Sequence, residues 1–127
     1  MKNDIRKIMI IDDNEDIVTM TKAMLEMRGY EVSVKMNIVD LENAITQVSP
    51  DLIIMDMLLA GADGREICSN LKKDSRFTSI PVLMISAHPN AEDECLQAGA
   101  NTFLGKPFEM QDFFNAVEKS SLVKKGN

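Results

Sequence analysis

Five short apolar runs recur along the chain, and each is followed by a loop and a stretch whose apolar residues have helical spacing. The runs are Lys7–Ile11, Tyr30–Lys35, Asp51–Asp56, Pro81–Ser86 and Asn101–Leu104. The helical stretches are Glu15–Arg28, Val39–Val48, Gly64–Lys73, Ala91–Ala98 and Glu109–Lys119. Strands that alternate with helices of this length are typical of a parallel sheet covered by helices on both faces. We therefore predict an α/β fold, a doubly wound parallel sheet of five strands with five helices.

The apolar positions within these elements also predict what they bury. Three runs, IMII, LIIM and VLMI, are continuously apolar, as expected for strands buried on both faces. Helical spacing assigns the following residues to the buried faces of the first and last helices: Ile17, Met20, Met24 and Met27, and Met110, Phe113, Phe114 and Val117.

Polar side chains stand at the carboxyl ends of the predicted strands. Asp12 and Asp13 follow the first strand, Asp56 ends the third, Ser86 ends the fourth, and Lys106 follows the fifth. In doubly wound sheets, ligands bind outside these ends, at the point where the winding direction reverses. If the strand order is 2-1-3-4-5, the pair Asp12–Asp13 faces Asp56, and residues far apart in sequence form one cluster.

Three neighbouring carboxylates repel one another unless a cation joins them. Carboxylate oxygens without His or Cys favour Mg²⁺ or a similar hard ion such as Mn²⁺. A cation and a lysine beside a carboxylate suit phosphoryl transfer, in which the carboxylate can be the covalent acceptor.

Other roles for these residues stay open on this reasoning. Asp12 and Asp13 could equally cap the helix that follows. Lys106 could be a surface lysine, and Phe103 could be an ordinary core residue. His88, the only histidine, has no His or Cys companion, so we expect a solvent-facing or access-tuning role rather than metal ligation.

Composition and charge limit the class of protein. The chain has 127 residues, of which 45% are hydrophobic, and a formal net charge of −6. An acidic protein is repelled by nucleic acids and anionic membranes, so neither is expected as a direct partner. No apolar run is long enough to span a membrane and the first residues lack a signal-peptide core, so we expect a cytoplasmic protein. Cys68 and Cys95 lack metal-binding spacing and are expected to be packing residues.

Four segments occur in the order of one known family. IIDDNED, LIIMDMLLAGADGREIC, PVLMISAH and GANTFLGKPF together resemble the CheY-like receiver domain of two-component response regulators, along essentially the whole chain. The resemblance implies a flavodoxin-like (βα)5 fold with strand order 2-1-3-4-5. It also implies one receiver domain over residues 1–127, with its core at about 5–122. No output domain is expected within these residues, and the chain is either a stand-alone receiver or a receiver cut from a longer protein.

The resemblance further implies a phosphorylation-activated signalling switch. Asp56 would accept a phosphoryl group from a histidine kinase or a phosphotransfer protein in a Mg²⁺- or Mn²⁺-dependent reaction. Asp13, Asp56 and the backbone carbonyl of Leu58 would bind the metal directly, and Asp12 would act through water. The domain would catalyse only its own phosphorylation and dephosphorylation, and so would not be an enzyme in the usual sense.

The remaining roles implied by the resemblance concern the response. Ser86 and Lys106 would contact phosphoryl oxygens, the Lys106–Pro107 peptide would be cis, and Phe103 would be the rotating aromatic switch. Leu58 and His88 would tune access of water to the phosphate. The surface of the fourth helix, fifth strand and fifth helix would change to bind a downstream protein, and the domain would be a monomer or a phosphorylation-dependent dimer.

The chain departs from the family in the loop after the acceptor. The family usually has a Met-Pro pair where Leu59–Ala60 stands, followed here by Gly61, so we expect a less rigid loop.

Two other functions are less favoured by the residues. A phosphohydrolase of the haloacid dehalogenase kind wants a second acid where Leu58 stands, and a phosphorylation-independent binding module is disfavoured because the full set of site residues is present.

Overall fold

The structure, a computed structural model of the chain, describes residues 5–88 and 90–125. Its strands are β1 (Lys7–Ile11), β2 (Glu31–Lys35), β3 (Leu52–Asp56), β4 (Leu58–Leu59), β5 (Ala62–Asp63), β6 (Val82–Ser86) and β7 (Thr102–Gly105). Its helices are α1 (Glu15–Met27), α2 (Leu41–Val48), α3 (Gly64–Lys73), α4 (Ala91–Gln97) and α5 (Met110–Lys125). All ten predicted elements are present, with ends that mostly differ by one or two residues; α5 runs further than predicted.

Five strands form one parallel sheet in the order β2-β1-β3-β6-β7. Because β4 and β5 are a separate two-stranded hairpin, this order is the predicted 2-1-3-4-5. The flavodoxin-like α/β fold is therefore confirmed, and the β4–β5 hairpin is an addition that the sequence pattern did not predict.

The three central strands, β1, β3 and β6, are buried on both faces, as their continuous apolar runs predicted, whereas the edge strand β2 is only partly buried. Along β1, Ile8 and Ile10 pack in the core formed with α1 and α5, whereas Met9 and Ile11 pack in the core formed with α2, α3 and α4. Each such fully buried side chain stabilises the fold by about 1.5–3 kcal/mol relative to an exposed one. The two cores fix the sheet between its helices and so fix the strand ends that carry the polar residues.

The predicted buried face of α1 is partly wrong. Met20 and Met27 are exposed by 42% and 74%, whereas Thr21 is buried. Thr21 can occupy an inward position because its hydroxyl donates a hydrogen bond of 2.7 Å to the carbonyl oxygen of Ile17. In α5, Met110 is likewise exposed, whereas the predicted burial of the following residues is confirmed: Phe113, Phe114 and Val117.

Within the described residues, no helix has both the length and the apolar composition needed to cross a membrane.

Candidate functional site

The three predicted carboxylates meet at the carboxyl edge of the sheet. Ile11 of β1 is paired with Met55 of β3, so the acids that follow these residues emerge side by side. Asp12, Asp13 and Asp56 each offer one carboxylate oxygen, and these oxygens all lie within 4.8 Å of one another. The clustering predicted from the strand order is therefore present.

The acids differ in their exposure. Asp12 is 3% and Asp56 8% exposed, whereas Asp13 is exposed. Burial raises the pKa of Asp12, and the nearby charges of Asp56 and Asp13 raise it further. An opposing hydrogen bond of 2.9 Å comes from the backbone N–H of Asn14 to Oδ1 of Asp12. Bringing these carboxylates together thus costs free energy in the absence of a cation.

Lys106 supplies one positive charge to the cluster. Its Nζ lies 2.8 Å from Oδ1 of Asp56. The lysine is held there by its backbone, because its N–H donates a 2.8 Å hydrogen bond to the carbonyl oxygen of Ser86. The Lys106–Pro107 peptide bond is cis, as the resemblance implied. Lys106 neutralises one of three carboxylates and leaves the cluster with an excess of negative charge.

A cleft of about 160 Å³ opens beside Asp56. The side chains that line it are Asp56, Leu58, Ser86, Ala87, His88 and Lys106. Buried Ser86 accepts a 2.9 Å hydrogen bond at Oγ from the backbone N–H of His88, so its own hydroxyl hydrogen can still be donated into the cleft.

Two of the lining residues stand at the mouth of the cleft. Leu58 is 62% exposed and His88 is exposed. Their access-tuning role stays a prediction.

Phe103 lies on the strand that leads to Lys106. It is half-buried on β7, is paired with Met84 of β6, and packs against the core formed with α2, α3 and α4. Among the described residues it is not one of those that line the cleft. Its ring edge and the carbonyl oxygen of Ser86 both lie 3.9 Å from the place that a Cβ of Gly105 would take, and its role as a rotating switch stays a prediction.

The β4–β5 hairpin adds two contacts that sequence reasoning missed. The backbone N–H of Ala60 donates a 2.7 Å hydrogen bond to Oδ2 of Asp13. After the hairpin, the N–H of Gly64 donates a 2.7 Å bond to the carbonyl oxygen of Met57. A Cβ at Gly64 would lie 2.5 Å from the carbonyl oxygen of Asp56. The pair Asp63–Gly64 is typical of a turn, but only the folded chain shows how closely Gly64 approaches Asp56.

The donor set of the cluster fits a hard divalent cation. Its members are carboxylates only, without His or Cys, and Mg²⁺ is typically held by one or two carboxylates together with waters and phosphate oxygens. The excess negative charge beside Lys106 is what such an ion would offset.

Comparison with known proteins agrees with this geometry. Residues 8–118 match the family model of the response regulator receiver domain. The DNA-binding dual master transcriptional regulator RpaA of Synechocystis sp. is 34% identical over 113 residues, which are 87% of this chain and 47% of that protein. The chain spans about half the length of the curated relatives that it matches.

Solved structures show the same likeness. A response regulator from Chloroflexus aurantiacus superposes with a TM-score of 0.86 at 30% identity, covering 92% of this chain and 98% of that one. The chemotaxis response regulator CheY4 of Vibrio cholerae shares the fold, with a TM-score of 0.83 at 23% identity over 91% of this chain and 98% of its own. The chain thus belongs to the family of response regulator receiver domains, the signalling modules of two-component systems.

Proposed function

We propose that Asp56 is the phosphoacceptor of a phosphorylation-activated switch and that the reaction depends on Mg²⁺ or Mn²⁺. The observation that carries this proposal is the convergence of three carboxylate oxygens within 4.8 Å of one another, with the Lys106 ammonium 2.8 Å from one of the three side chains. A carboxylate in such a site is a suitable covalent acceptor, because phosphoryl transfer needs mainly positioning and charge stabilisation.

The chemistry at Asp56 is an in-line displacement. One oxygen of its carboxylate forms a bond to phosphorus while the bond from phosphorus to the donor's nitrogen or oxygen breaks, and the donor departs with that electron pair. Lys106 exchanges Oδ1 of Asp56 for an oxygen of the transferred group, which carries more charge. Ser86 donates its hydroxyl hydrogen to another of these oxygens.

The residues that would hold the metal are Asp13, Asp56 and the backbone carbonyl of Leu58, with Asp12 acting through water. When bound, the ion supplies positive charge that offsets the excess of carboxylates and the charge of the incoming phosphoryl group. Leu58 and His88, at the mouth of the cleft, control the access of water to the phosphorylated acceptor.

The response is a shift between two packings, biased by the new charge. As Lys106 and Ser86 move toward the phosphoryl oxygens, the ends of β6 and β7 are drawn inward and Phe103 repacks. The surface formed by α4, β7 and α5 thereby changes. This surface includes exposed apolar side chains, Leu96 at 41% and Met110 at 52%, suited to binding a downstream protein.

The partners follow from this scheme. A histidine kinase or phosphotransfer protein supplies the phosphoryl group, and the α4-β7-α5 surface binds the downstream protein or a second copy in a phosphorylation-dependent dimer.

The test is intact mass after incubation with acetyl phosphate or phosphoramidate, with and without Mg²⁺. Wild type should gain one phosphoryl group only with Mg²⁺, and Asp56→Asn should gain none. Asp93→Asn is the matched control, since it removes an exposed acid on α4 and should be phosphorylated like wild type. Full phosphorylation of Asp56→Asn would overturn the assignment of the acceptor.

Lys106→Ala separates phosphorylation from response. The variant should still be phosphorylated. On phosphorylation, however, the amide chemical shifts of α4, β7 and α5 should change less than they do in wild type. An unchanged response would refute the role of Lys106.

Both alternatives have a distinct outcome in these assays. Partner binding that is indifferent to phosphodonor would indicate a phosphorylation-independent module. Turnover of phosphate monoesters would indicate a hydrolase, although the exposed Leu58 stands where that chemistry needs a second acid.

A further inference from the structure

The hydrogen bond between the hairpin and Asp13 joins two parts of the site that are far apart in sequence. The N–H of Ala60 and Oδ2 of Asp13 are 2.7 Å apart and separated by 47 residues. This is a short bond to a carboxylate, of the charge-assisted kind. Asp13 is exposed, and an exposed aspartate otherwise samples several rotamers. The bond therefore fixes the direction in which this carboxylate points.

The bond leaves Asp13 able to act as a ligand. A carboxylate has two oxygens with about four acceptor positions, so Oδ1 can bind an ion while Oδ2 accepts the N–H of Ala60. Hydrogen bonds of this kind orient metal ligands, and their loss typically lowers metal affinity by about 10- to 100-fold. The same hairpin carries Leu58, whose backbone carbonyl is a proposed ligand.

We propose that the backbone N–H of Ala60 is a positioning group for the metal site, and that the β4–β5 hairpin and the bound cation stabilise each other through Asp13. This inference rests on the proposed metal-dependent function and names the chain segment that tunes it. The coupling is reciprocal: if the hairpin raises the affinity for the ion, the bound ion stabilises the hairpin by the same free energy.

The conformation of the hairpin turn allows this N–H to be removed by a proline substitution without a change in the backbone. The two-residue connection of Ala60 and Gly61 joins Leu59 to its partner Ala62. Gly61 has a φ of 75°, and among the described residues the non-glycine residues with positive φ are Asp40 and Ser49, so Ala60 is not one of them. These signs fit a type II turn, in which proline is common at the second position.

Ala60→Pro therefore deletes the N–H without opposing the turn, and it places at this position the proline that the family usually has, so the variant tests a feature particular to this chain. Leu59, which precedes it, lies in a strand, the conformation that a residue before proline prefers. Ala60→Val is the matched control, because it changes an exposed side chain and keeps the N–H.

The experiment is a Mg²⁺ titration of wild type, Ala60→Pro and Ala60→Val at constant ionic strength, followed by amide chemical shifts. Urea unfolding without metal accompanies it. Wild type and Ala60→Val should bind Mg²⁺ equally, and Ala60→Pro about 10-fold more weakly, the lower end of the usual range because the bond lies at the surface. The metal-free stability of Ala60→Pro should be no lower than that of wild type.

The outcomes separate this inference from the proposed function. If wild type binds Mg²⁺ and Ala60→Pro binds it equally well, the inference is wrong and the proposed function stands. If wild type binds no Mg²⁺, the metal role falls and this inference with it.

If Ala60→Pro is less stable than wild type, hydrogen exchange of amides in the wild-type protein tests whether the Ala60 N–H is coupled to the metal. Saturating Mg²⁺ should slow exchange of the Ala60 amide more than that of the Gly61 amide, and equal effects would overturn the inference.

Discussion

Replacing Gly64 with alanine tests whether the backbone beside Asp56, the proposed acceptor, sets the rate at which this residue is phosphorylated. A Cβ at this position would lie 2.5 Å from the carbonyl oxygen of Asp56 and 3.0 Å from both Cα and the carbonyl oxygen of Met57. All three are backbone atoms, so no flexible side chain can move aside. The Asp56 carbonyl would have to retreat by roughly 0.5 to 1 Å to reach an ordinary contact.

Two effects of different size follow from this displacement. Overpacking of a buried position costs about 1–3 kcal/mol of unfolding free energy. Misplacing a reacting group by about 1 Å can lower a rate by about 100-fold. Gly64→Ala should therefore be moderately destabilised and severely slowed in accepting a phosphoryl group.

Gly29→Ala is the control for the loss of stability. Gly29, at the end of α1, has a φ of 92°, and a Cβ added there would have nothing within 4 Å, so alanine costs roughly 1–2 kcal/mol through backbone strain alone. Urea unfolding gives the stability of both variants, and intact mass after timed exposure to phosphoramidate and Mg²⁺ gives the rate. The reasoning is refuted if Gly64→Ala is phosphorylated as fast as Gly29→Ala.

Three further measurements test the energetics of the fold. Because burial raises the pKa of Asp12 above its ordinary value of 3.8, its ionised form opposes folding, and this cost disappears as the pH falls through the raised value. Asp12→Asn should thus be more stable than wild type near neutral pH without metal, and a difference that does not shrink in acid would contradict this. Ser120→Ala should lose about 1–3 kcal/mol in urea unfolding, because it leaves the buried hydroxyl of Thr102, now 2.8 Å from that of Ser120, without its partner; Thr102→Val in the same chain should recover part of the loss. Burial raises the pKa of the Cys68 and Cys95 thiols to about 11, so a thiol reagent at mildly alkaline pH should label them only in denaturant, and rapid labelling of the native protein would disprove their burial.

The sequence predicts the central strands well because they are buried on both faces. A run such as Leu52–Asp56, in which all five residues are buried, gives the same apolar signal whichever face is considered. A helix buries one face only, and the boundary of that face depends on how the helix packs against the sheet. Met20 is exposed although an apolar residue was expected to face inward, whereas Thr21 is buried, which its hydrogen bond to its own helix backbone allows.

Some parts of the candidate site could be predicted from the sequence and others could not. Asp12, Asp13 and Asp56 could be grouped in advance because strand order and the carboxyl-end rule are general. The hairpin could not, since two-residue strands such as Leu58–Leu59 have no measurable period. Its bond to Asp13 depends on where the folded chain places an amide that carries no mark in the sequence.

The hydrogen bond from the N–H of Lys106 to the carbonyl oxygen of Ser86 has a mechanical meaning under the proposed mechanism. Ser86 ends β6 and Lys106 follows β7, and this bond ties their backbones together, so a movement of either residue pulls on the other. Two weak attractions, one to a hydroxyl and one to an ammonium, are thereby added into a single displacement. Under the proposed mechanism, Ser86 and Lys106 are therefore displaced together on phosphorylation, which favours a two-state response over a graded one.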